Sequence, residues 1–225
     1  MFYNCATEYL VLSYSLNLLD FIDKIHDNKS VSTATEIEYT TEHEWTAFDR
    51  FLRFLRLQKV ARYIKTNGVL CDLGCGQDAY LLRYFSSRIR QGIGFDGLVT
   101  DDAWQNISIK RASLLDRIPL SSESVDTVTI LAALEHFTDD RNILVEAHRV
   151  LKKGGVVLIT VPTLSNKPLL ELLARVGVIN RAEILDHKRY YEKKDIQEIL
   201  RAAGFEAPRV RYWQCGLNLF ARAHK

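Results

Sequence analysis

Apolar and polar positions follow two different patterns along most of the chain. Short apolar runs rich in β-branched residues predict buried strands, and apolar positions three or four residues apart predict helices. The strand-like runs are Val69–Leu73, Gly92–Phe95, Val125–Ala133, Val156–Val161, Phe205–Trp213 and Leu217–Ala223. The helix-like segments are 48–65, 79–87, 139–151 and 195–203. This alternation predicts a doubly wound α/β domain with a parallel sheet and helices on both faces. The last two runs are joined within three residues, which predicts an antiparallel pair at the sheet edge.

The first 46 residues have a different pattern from the rest. Residues 6–25 have apolar positions at helical spacing and predict an amphipathic helix. Residues 27–46 are rich in Ser, Thr and Glu and read as a linker or cap. We therefore divide the chain into an N-terminal helical segment with a polar linker, 1–46, and a main domain, 47–225. Packing of the first segment on the main domain is favoured, and closure over a site as a lid is the alternative.

The helix-like segment 48–65 carries a basic residue at every third position. These residues are Arg50, Arg53, Arg56, Lys59, Arg62 and Lys65. A step of three drifts by about 60° on a helix of 3.6 residues per turn. The pattern therefore predicts a solvated outer face rather than a row of phosphate-binding groups.

Composition narrows the class of protein. The 225 residues are 47% hydrophobic and 26% charged, which is typical of one globular domain. Four scattered cysteines favour a reduced, cytoplasmic protein over a disulfide scaffold. No run is long and apolar enough to span a bilayer. Residues 1–50 are acidic, with three Lys/Arg and nine Asp/Glu. Residues 51–225 are mildly basic, with 27 Lys/Arg and 19 Asp/Glu. The sequence shows no concentrated basic face, so nucleic acid is disfavoured as a partner.

The most informative segment is the glycine loop after the first strand. Gly74 and Gly76 lie between a strand and a helix, where backbone N–H groups can meet a ligand. Asp96 ends the next strand, where a carboxylate can accept hydrogen bonds from ribose hydroxyls. The spacing of Gly74, Gly76 and Asp96 also fits a loop that binds a nicotinamide dinucleotide. However, Asp72 at the strand end would repel a pyrophosphate by roughly 3 kcal/mol at 5 Å and suits a cationic ligand.

Five segments together resemble the class I S-adenosylmethionine-dependent methyltransferases, in particular the methyltransferase type 11 branch. They are Asp72–Gly76, Asp96, Ile118–Asp126, Leu134–Phe137 and Arg149–Gly155. The resemblance covers roughly residues 60–223. It implies a seven-stranded Rossmann-like sheet with a reversed edge strand, and S-adenosyl-L-methionine as cofactor, released as S-adenosyl-L-homocysteine.

The resemblance also implies a role for each matching position. Asp72, Gly74 and Gly76 would hold the methionine end of the cofactor, and Asp96 the ribose. Ser113 and Leu114 would lie near the adenine, although many relatives have an Asp in place of Ser113. Leu131 would line the site beside the sulfonium.

Two histidines are candidate bases. His136 follows the fourth strand and would face the cleft, with a structural histidine as the equal alternative. His187 belongs to Asp186–Tyr191, where Arg189 could bind an anionic acceptor and the tyrosines could wall an aromatic one. An ordinary turn with core tyrosines is the favoured alternative. Some quinone-pathway relatives bind a metal with two acids and a histidine here. Because Ala132 replaces the first acid, we expect no metal.

These observations predict an S-adenosylmethionine-dependent methyltransferase that transfers a methyl group to a small-molecule acceptor without a metal. Oxygen is favoured over nitrogen or carbon as the acceptor atom. The alternatives are an RNA methyltransferase and a non-enzymatic cofactor-binding protein with the same fold.

Overall fold

The structure is a computed structural model that describes residues 47–114, 117–164, 189–214 and 216–225. All of them belong to the compact unit formed by residues 44–225. The predicted cap, 1–46, and the candidate base His187 lie outside the described residues, so both stay predictions.

Four helices and eight strands are found in the described residues. The helices are α1 (Ala47–Ala61), α2 (Tyr80–Phe85), α3 (Asp140–Val150) and α4 (Lys193–Ala202), and a 3₁₀ turn covers Leu134–His136. The strands are β1 (Val69–Leu73), β2 (Gln91–Asp96), β3 (Asp102–Trp104), β4 (Ile107–Arg111), β5 (Val125–Leu131), β6 (Leu151–Pro162), β7 (Glu206–Trp213) and β8 (Asn218–His224). Among these helices, none is long and apolar enough to cross a membrane.

The strands form one sheet in the order β3-β4-β2-β1-β5-β6-β8-β7. The five strands from β4 to β6 are parallel, and β8 runs antiparallel to both β6 and β7. The predicted α/β fold and the antiparallel final pair are thus confirmed. Three details differ from the expectation. Strand β4 was not among the predicted runs, the short strand β3 adds an eighth, antiparallel strand at the opposite edge, and the reversed strand β8 lies one position inside the edge.

Alternate residues of the strands pack into two apolar layers, one on each face of the sheet. On one face, Cys71, Ile130 and Ile159 pack with helices α3 and α4. On the other face, Leu70, Leu158 and Phe220 pack with α1 and α2. Because successive side chains of a strand point to opposite faces, Asp72 lies on the same side as Leu70. It therefore faces α1 and α2.

The amino ends of the central strands are joined by the buried carboxylate of Asp126 on β5. It accepts hydrogen bonds from the Lys65 ammonium at 2.7 Å, the Val69 N–H at 2.9 Å and the Lys152 ammonium at 2.9 Å. Burial raises its pKa, but the bonds from Lys65, Val69 and Lys152 outweigh this effect and lower the pKa to about 2. The ion pairs thus tie β5 to the segments that precede β1 and begin β6.

This lowered pKa predicts a pH-dependent contribution of Asp126 to stability. Because the folded pKa lies below the unfolded value of 3.8, the stabilisation is complete above about pH 4 and is lost as pH falls toward 2. An Asp126→Asn variant should lose about 2 kcal/mol of unfolding free energy at neutral pH. The difference from wild type should shrink on acidification in urea titrations. Asp102→Asn, at an exposed carboxylate, is the matched control. A pH-independent difference for Asp126→Asn would contradict the ion-pair explanation.

Candidate functional site

The glycine loop after β1 passes very close to the chain that follows β5. Gly74 has φ of +78° and donates its N–H to the Phe95 carbonyl at 2.8 Å. A Cβ atom added at Gly74 would lie 2.4 Å from the Cβ of Ala133. Both the conformation and the space therefore require glycine. The loop brings the carboxyl ends of β1, β2 and β5 together.

Asp96, at the end of β2, is bound to this loop. Its two carboxylate oxygens accept the N–H of Gly76 at 3.0 Å and the N–H of Leu98 at 2.9 Å. Gly76 has φ of +67°, a backbone conformation that favours glycine. Each carboxylate oxygen has a further lone pair, so Asp96 can still accept hydrogen bonds from the hydroxyls of a ligand.

Asp72 is a buried carboxylate on β1. The hydroxyl of Thr129, on the neighbouring strand β5, donates to its Oδ1 at 2.6 Å. Burial raises the pKa of Asp72 to about 7; the Thr129 bond and the charge of Arg53 oppose the rise, and the charge of Asp96 adds to it. Near neutral pH this group is therefore only partly ionised, and a bound cation would favour its charged form.

Asp72 faces a cavity of about 60 Å³ between the glycine loop and helix α1. Charges of both signs line it, because α1 contributes Arg53 and Arg56. The Arg53 guanidinium bridges to Asp78 at 2.8 Å and lies 4.5 Å from the centre of the Tyr80 ring. A carboxylate next to guanidinium groups suits a zwitterion, whose ammonium and carboxylate need opposite charges.

The predicted outer face of the 48–65 helix is thus wrong for Arg53 and Arg56. Leu57 and Val60 are fully buried, and the two arginines precede them by four residues each, so they lie on the same side of α1. The spacing of arginines relative to these apolar positions was the available signal in the sequence. The period of three among the basic residues, considered alone, does not indicate which of them lie on the buried side of the helix.

The predicted cofactor-binding residues fall into two groups. Asp72, Gly74 and Leu131 line the same cavity, and Gly76 is bonded to Asp96. Ser113 and Leu114 follow β4. The last residue of β4, Arg111, lies opposite Asp96 in the register of the parallel strands β2 and β4. Ser113 is exposed, while Leu114 is buried with φ of +51°. Both lie beyond the carboxyl end of β4, next to Asp96 in the sheet order, but neither lines the cavity.

His136 ends the 3₁₀ turn that follows β5. It is half-buried, and its backbone N–H donates to the Ala133 carbonyl at 3.0 Å. Its neighbour Glu135 is buried. The described residues contain no group of three His, Cys, Asp or Glu side chains that could hold a metal ion. The buried thiols of Cys71 and Cys75 have raised pKa values because burial disfavours their thiolates, as packing residues should.

A second, larger cavity of about 560 Å³ lies between the start of α3 and helix α4. Arg189, Tyr190 and Tyr191 line it, together with Asp140. Tyr191 is buried, and its hydroxyl donates to Asp140 Oδ2 at 3.0 Å. The Arg189 guanidinium pairs with Asp140 Oδ1 at 2.7 Å. Tyr191 is therefore a core residue, as the favoured alternative predicted, whereas half-buried Tyr190 faces the cavity.

Sequence comparison gives one family match and distant relatives. The family model described as a methyltransferase domain matches residues 43–209. A protein of Mycolicibacterium smegmatis named "Probable S-adenosylmethionine-dependent methyltransferase" is 28% identical over 158 residues, which are 66% of this chain and 56% of that protein. The demethylmenaquinone methyltransferase of Alkalihalophilus pseudofirmus is 24% identical over 135 residues, covering 53% and 57%. The chain thus matches little more than half the length of these relatives.

The fold has many counterparts among solved structures. A SAM-dependent methyltransferase from Archaeoglobus fulgidus superimposes with a TM-score of 0.61 at 16% sequence identity. The match covers 78% of this chain and 94% of that one. At this identity the likeness concerns the fold alone.

The contact between Gly74 and Ala133 generates a prediction about stability. Gly74→Ala should lower the unfolding free energy by about 3 kcal/mol, because it combines overpacking with left-handed strain. Gly76→Ala is the matched control, since its φ is also positive but the nearest atom to an added Cβ is 3.5 Å away. It should cost only about 1 kcal/mol. Equal losses for the two variants in urea titrations would show that close packing at Gly74 is unimportant.

Proposed function

Because the chain belongs to the methyltransferase domain family, we propose that it transfers a methyl group from S-adenosyl-L-methionine to a small-molecule acceptor, without a metal. The observation that carries the proposal is the cavity beside the glycine loop, where Asp72 faces Arg53 and Arg56. An α-amino acid head group has the complementary charges. The acceptor atom that we favour is oxygen.

In this proposal each residue of the site has a role in binding. Asp72 accepts the ammonium of the methionine end, and Arg53 and Arg56 hold its carboxylate. Asp96 accepts the ribose hydroxyls with the lone pairs that Gly76 and Leu98 leave open. Gly74 and Gly76 let the ligand approach the backbone. Leu131 lies beside the sulfonium, and Ser113 and Leu114 lie near the adenine.

The cofactor supplies a methyl group on a positively charged sulfur and is released as S-adenosyl-L-homocysteine. The protein then has to align the acceptor, exclude water and, where the acceptor carries a proton, remove it. Alignment can contribute about 7–11 kcal/mol to lowering the barrier. The apolar side chains of Leu57, Leu81 and Leu131 line the cavity and keep water from the reacting carbon.

The larger cavity has the size of a small-molecule site, and it lies on the α3 and α4 side of the sheet, opposite α1. Its volume of about 560 Å³ falls within the roughly 300–1,000 Å³ typical of small-molecule sites. It is close to the turn after β5, since the Tyr191 hydroxyl reaches the Leu134 carbonyl at 3.5 Å. Tyr190 offers an aromatic surface to an acceptor there, while Asp140 already neutralises Arg189.

Calorimetry with S-adenosyl-L-methionine and S-adenosyl-L-homocysteine tests the cofactor site. We expect wild type to bind both, and Asp96→Ala to bind them at least about tenfold more weakly, because hydrogen bonds to a charged group are lost. Glu206→Ala removes an exposed carboxylate of β7 and should leave binding unchanged. Folded wild-type protein that binds neither compound would overturn the proposal.

Decarboxylated S-adenosylmethionine serves as a matched ligand in the same experiment. Replacing Arg56 by Leu should weaken binding of the complete cofactor about tenfold or more, because a charge-assisted bond to its carboxylate is lost. The affinity for the decarboxylated compound should be the same in wild type and variant. An equal loss for both ligands would mean that Arg56 does not contact the carboxylate.

His136 stays a predicted base for an acceptor hydroxyl. Acceptors are found by screening small hydroxyl compounds with methyl-labelled cofactor, and His136→Ala should then slow transfer by about 10²–10⁴-fold at saturating substrates. Cofactor affinity should be unchanged, because His136 lies outside the 60 Å³ cavity. A variant with the wild-type rate from pH 6 to 8 would exclude His136 as the base.

A further inference from the structure

Five basic residues from three separate parts of the chain gather on one side of the sheet. Lys59 lies in the last turn of α1, and Arg62 directly follows that helix. Arg209 and Arg211 lie on β7, and Arg222 lies on β8. We refer to these five residues as the α1–β7 cationic surface. The sequence shows no concentrated basic face, but the fold creates one by bringing residues about 150 positions apart together.

Strand register places like charges next to one another on this surface. Arg209 lies directly opposite Arg222, and Arg211 lies opposite Phe220. Because side chains two residues apart on a strand share a face, Arg209, Arg211 and Arg222 all project on the side of α1. The pKa of Lys59 is lowered by burial and by the nearby charges of Arg62 and Arg211. The α1 and β7 parts are therefore in electrostatic contact.

The cationic surface has no counterpart of negative charge in the described part of the chain. None of its five members lies within 4 Å of a carboxylate there, whereas Arg53, Lys65, Lys152 and Arg189 all have ion pairs. Like charges directly opposite each other on paired strands are destabilising. The repulsion within the cluster therefore opposes folding, and an external anion would relieve it.

Aromatic rings hold three of these cations in place. The guanidinium groups of Arg62 and Arg222 lie 4.8 and 4.7 Å from the centre of the Tyr63 ring. The Lys59 ammonium lies 5.1 Å from the centre of the Phe220 ring, and Tyr63 stacks on Phe220 at 5.7 Å. Cations held over rings lose little freedom when an anion binds. The surface is thus preorganised for ligands with several negative charges.

We propose that the α1–β7 cationic surface binds the anionic headgroups of a lipid bilayer. Single-stranded nucleic acids, another class of extended polyanion, are bound by aromatic rings on which their bases stack. The faces of Tyr63 are already covered by Phe220 and by two arginines.

This binding surface goes beyond methyl transfer and does not depend on it. It would hold the enzyme at a membrane surface by electrostatic attraction, without a spanning segment. Each basic residue close to an anionic bilayer contributes about fivefold to partitioning. The attraction weakens with salt, because the Debye length falls from about 10 Å at 0.1 M to about 3 Å at 1 M.

Sedimentation of the full chain with lipid vesicles tests the proposal. The vesicles are phosphatidylcholine, alone or with about 30% phosphatidylglycerol to give an anionic surface. We expect salt-sensitive binding to the anionic vesicles only. The double variant Arg209→Gln/Arg211→Gln should bind about 30-fold more weakly. Its melting temperature should stay the same or rise, because the repulsion between Arg209 and Arg222 is removed.

The matched control is Lys153→Gln/Arg201→Gln, which removes the same net charge from exposed positions outside the surface. It should retain vesicle binding to within about fivefold of wild type, the contribution of one basic residue. Equal losses for the two double variants would overturn the proposal, because net charge alone would explain them. So would absent vesicle binding, or tight binding of a single-stranded RNA oligonucleotide that the Arg209/Arg211 variant loses. Calorimetry with S-adenosyl-L-methionine on both double variants shows whether the cofactor site is intact. A loss of vesicle binding can then be distinguished from a failure of the cofactor site.

Discussion

The burial of one carboxylate, Asp72, is the constraint from which the site follows. A carboxylate at the end of a buried parallel strand loses water, and a single hydroxyl, that of Thr129, replaces part of that hydration. The glycine loop next to it has to turn within contact distance of Ala133, so little space is left above the carboxylate. Helix α1 closes this space with arginines rather than with apolar side chains alone. A small, charged cavity results.

A comparison of Asp72 with Asp126 shows how the same residue type serves two purposes in one sheet. Asp126, at the amino ends of the strands, has two ammonium groups and a backbone N–H as partners, so its charge is fully compensated. Asp72, at the carboxyl ends, has one hydroxyl and a more distant Arg53. The first arrangement fixes the fold. The second leaves a demand for positive charge that a ligand can meet.

The sequence predicted six of the eight strands, because these are local runs rich in apolar residues. Strands β3 and β4 are short and partly polar, and no run predicted them. The sequence also predicted the glycine loop and Asp96, since both depend on the order of residues around one turn. The side of α1 that meets the sheet was missed, because this depends on how the helix packs and not on the period of its charges. Thr129 was missed because a hydroxyl within an apolar strand looks like any other β-branched residue. The cationic surface required the register of β7 on β8, which no local pattern specifies.

Helix α1 carries residues of both the cofactor cavity and the cationic surface. Arg56 and Lys59 are three residues apart, which is about 4.5 Å along a helix axis, and a short helix moves as a rigid rod. Thermodynamic linkage then has a direct consequence. If occupation of the surface displaces α1, it changes the affinity of the cavity for its ligand, and the ligand changes the affinity of the surface by the same factor. The helix would make the two sites energetically reciprocal, although they share no residue.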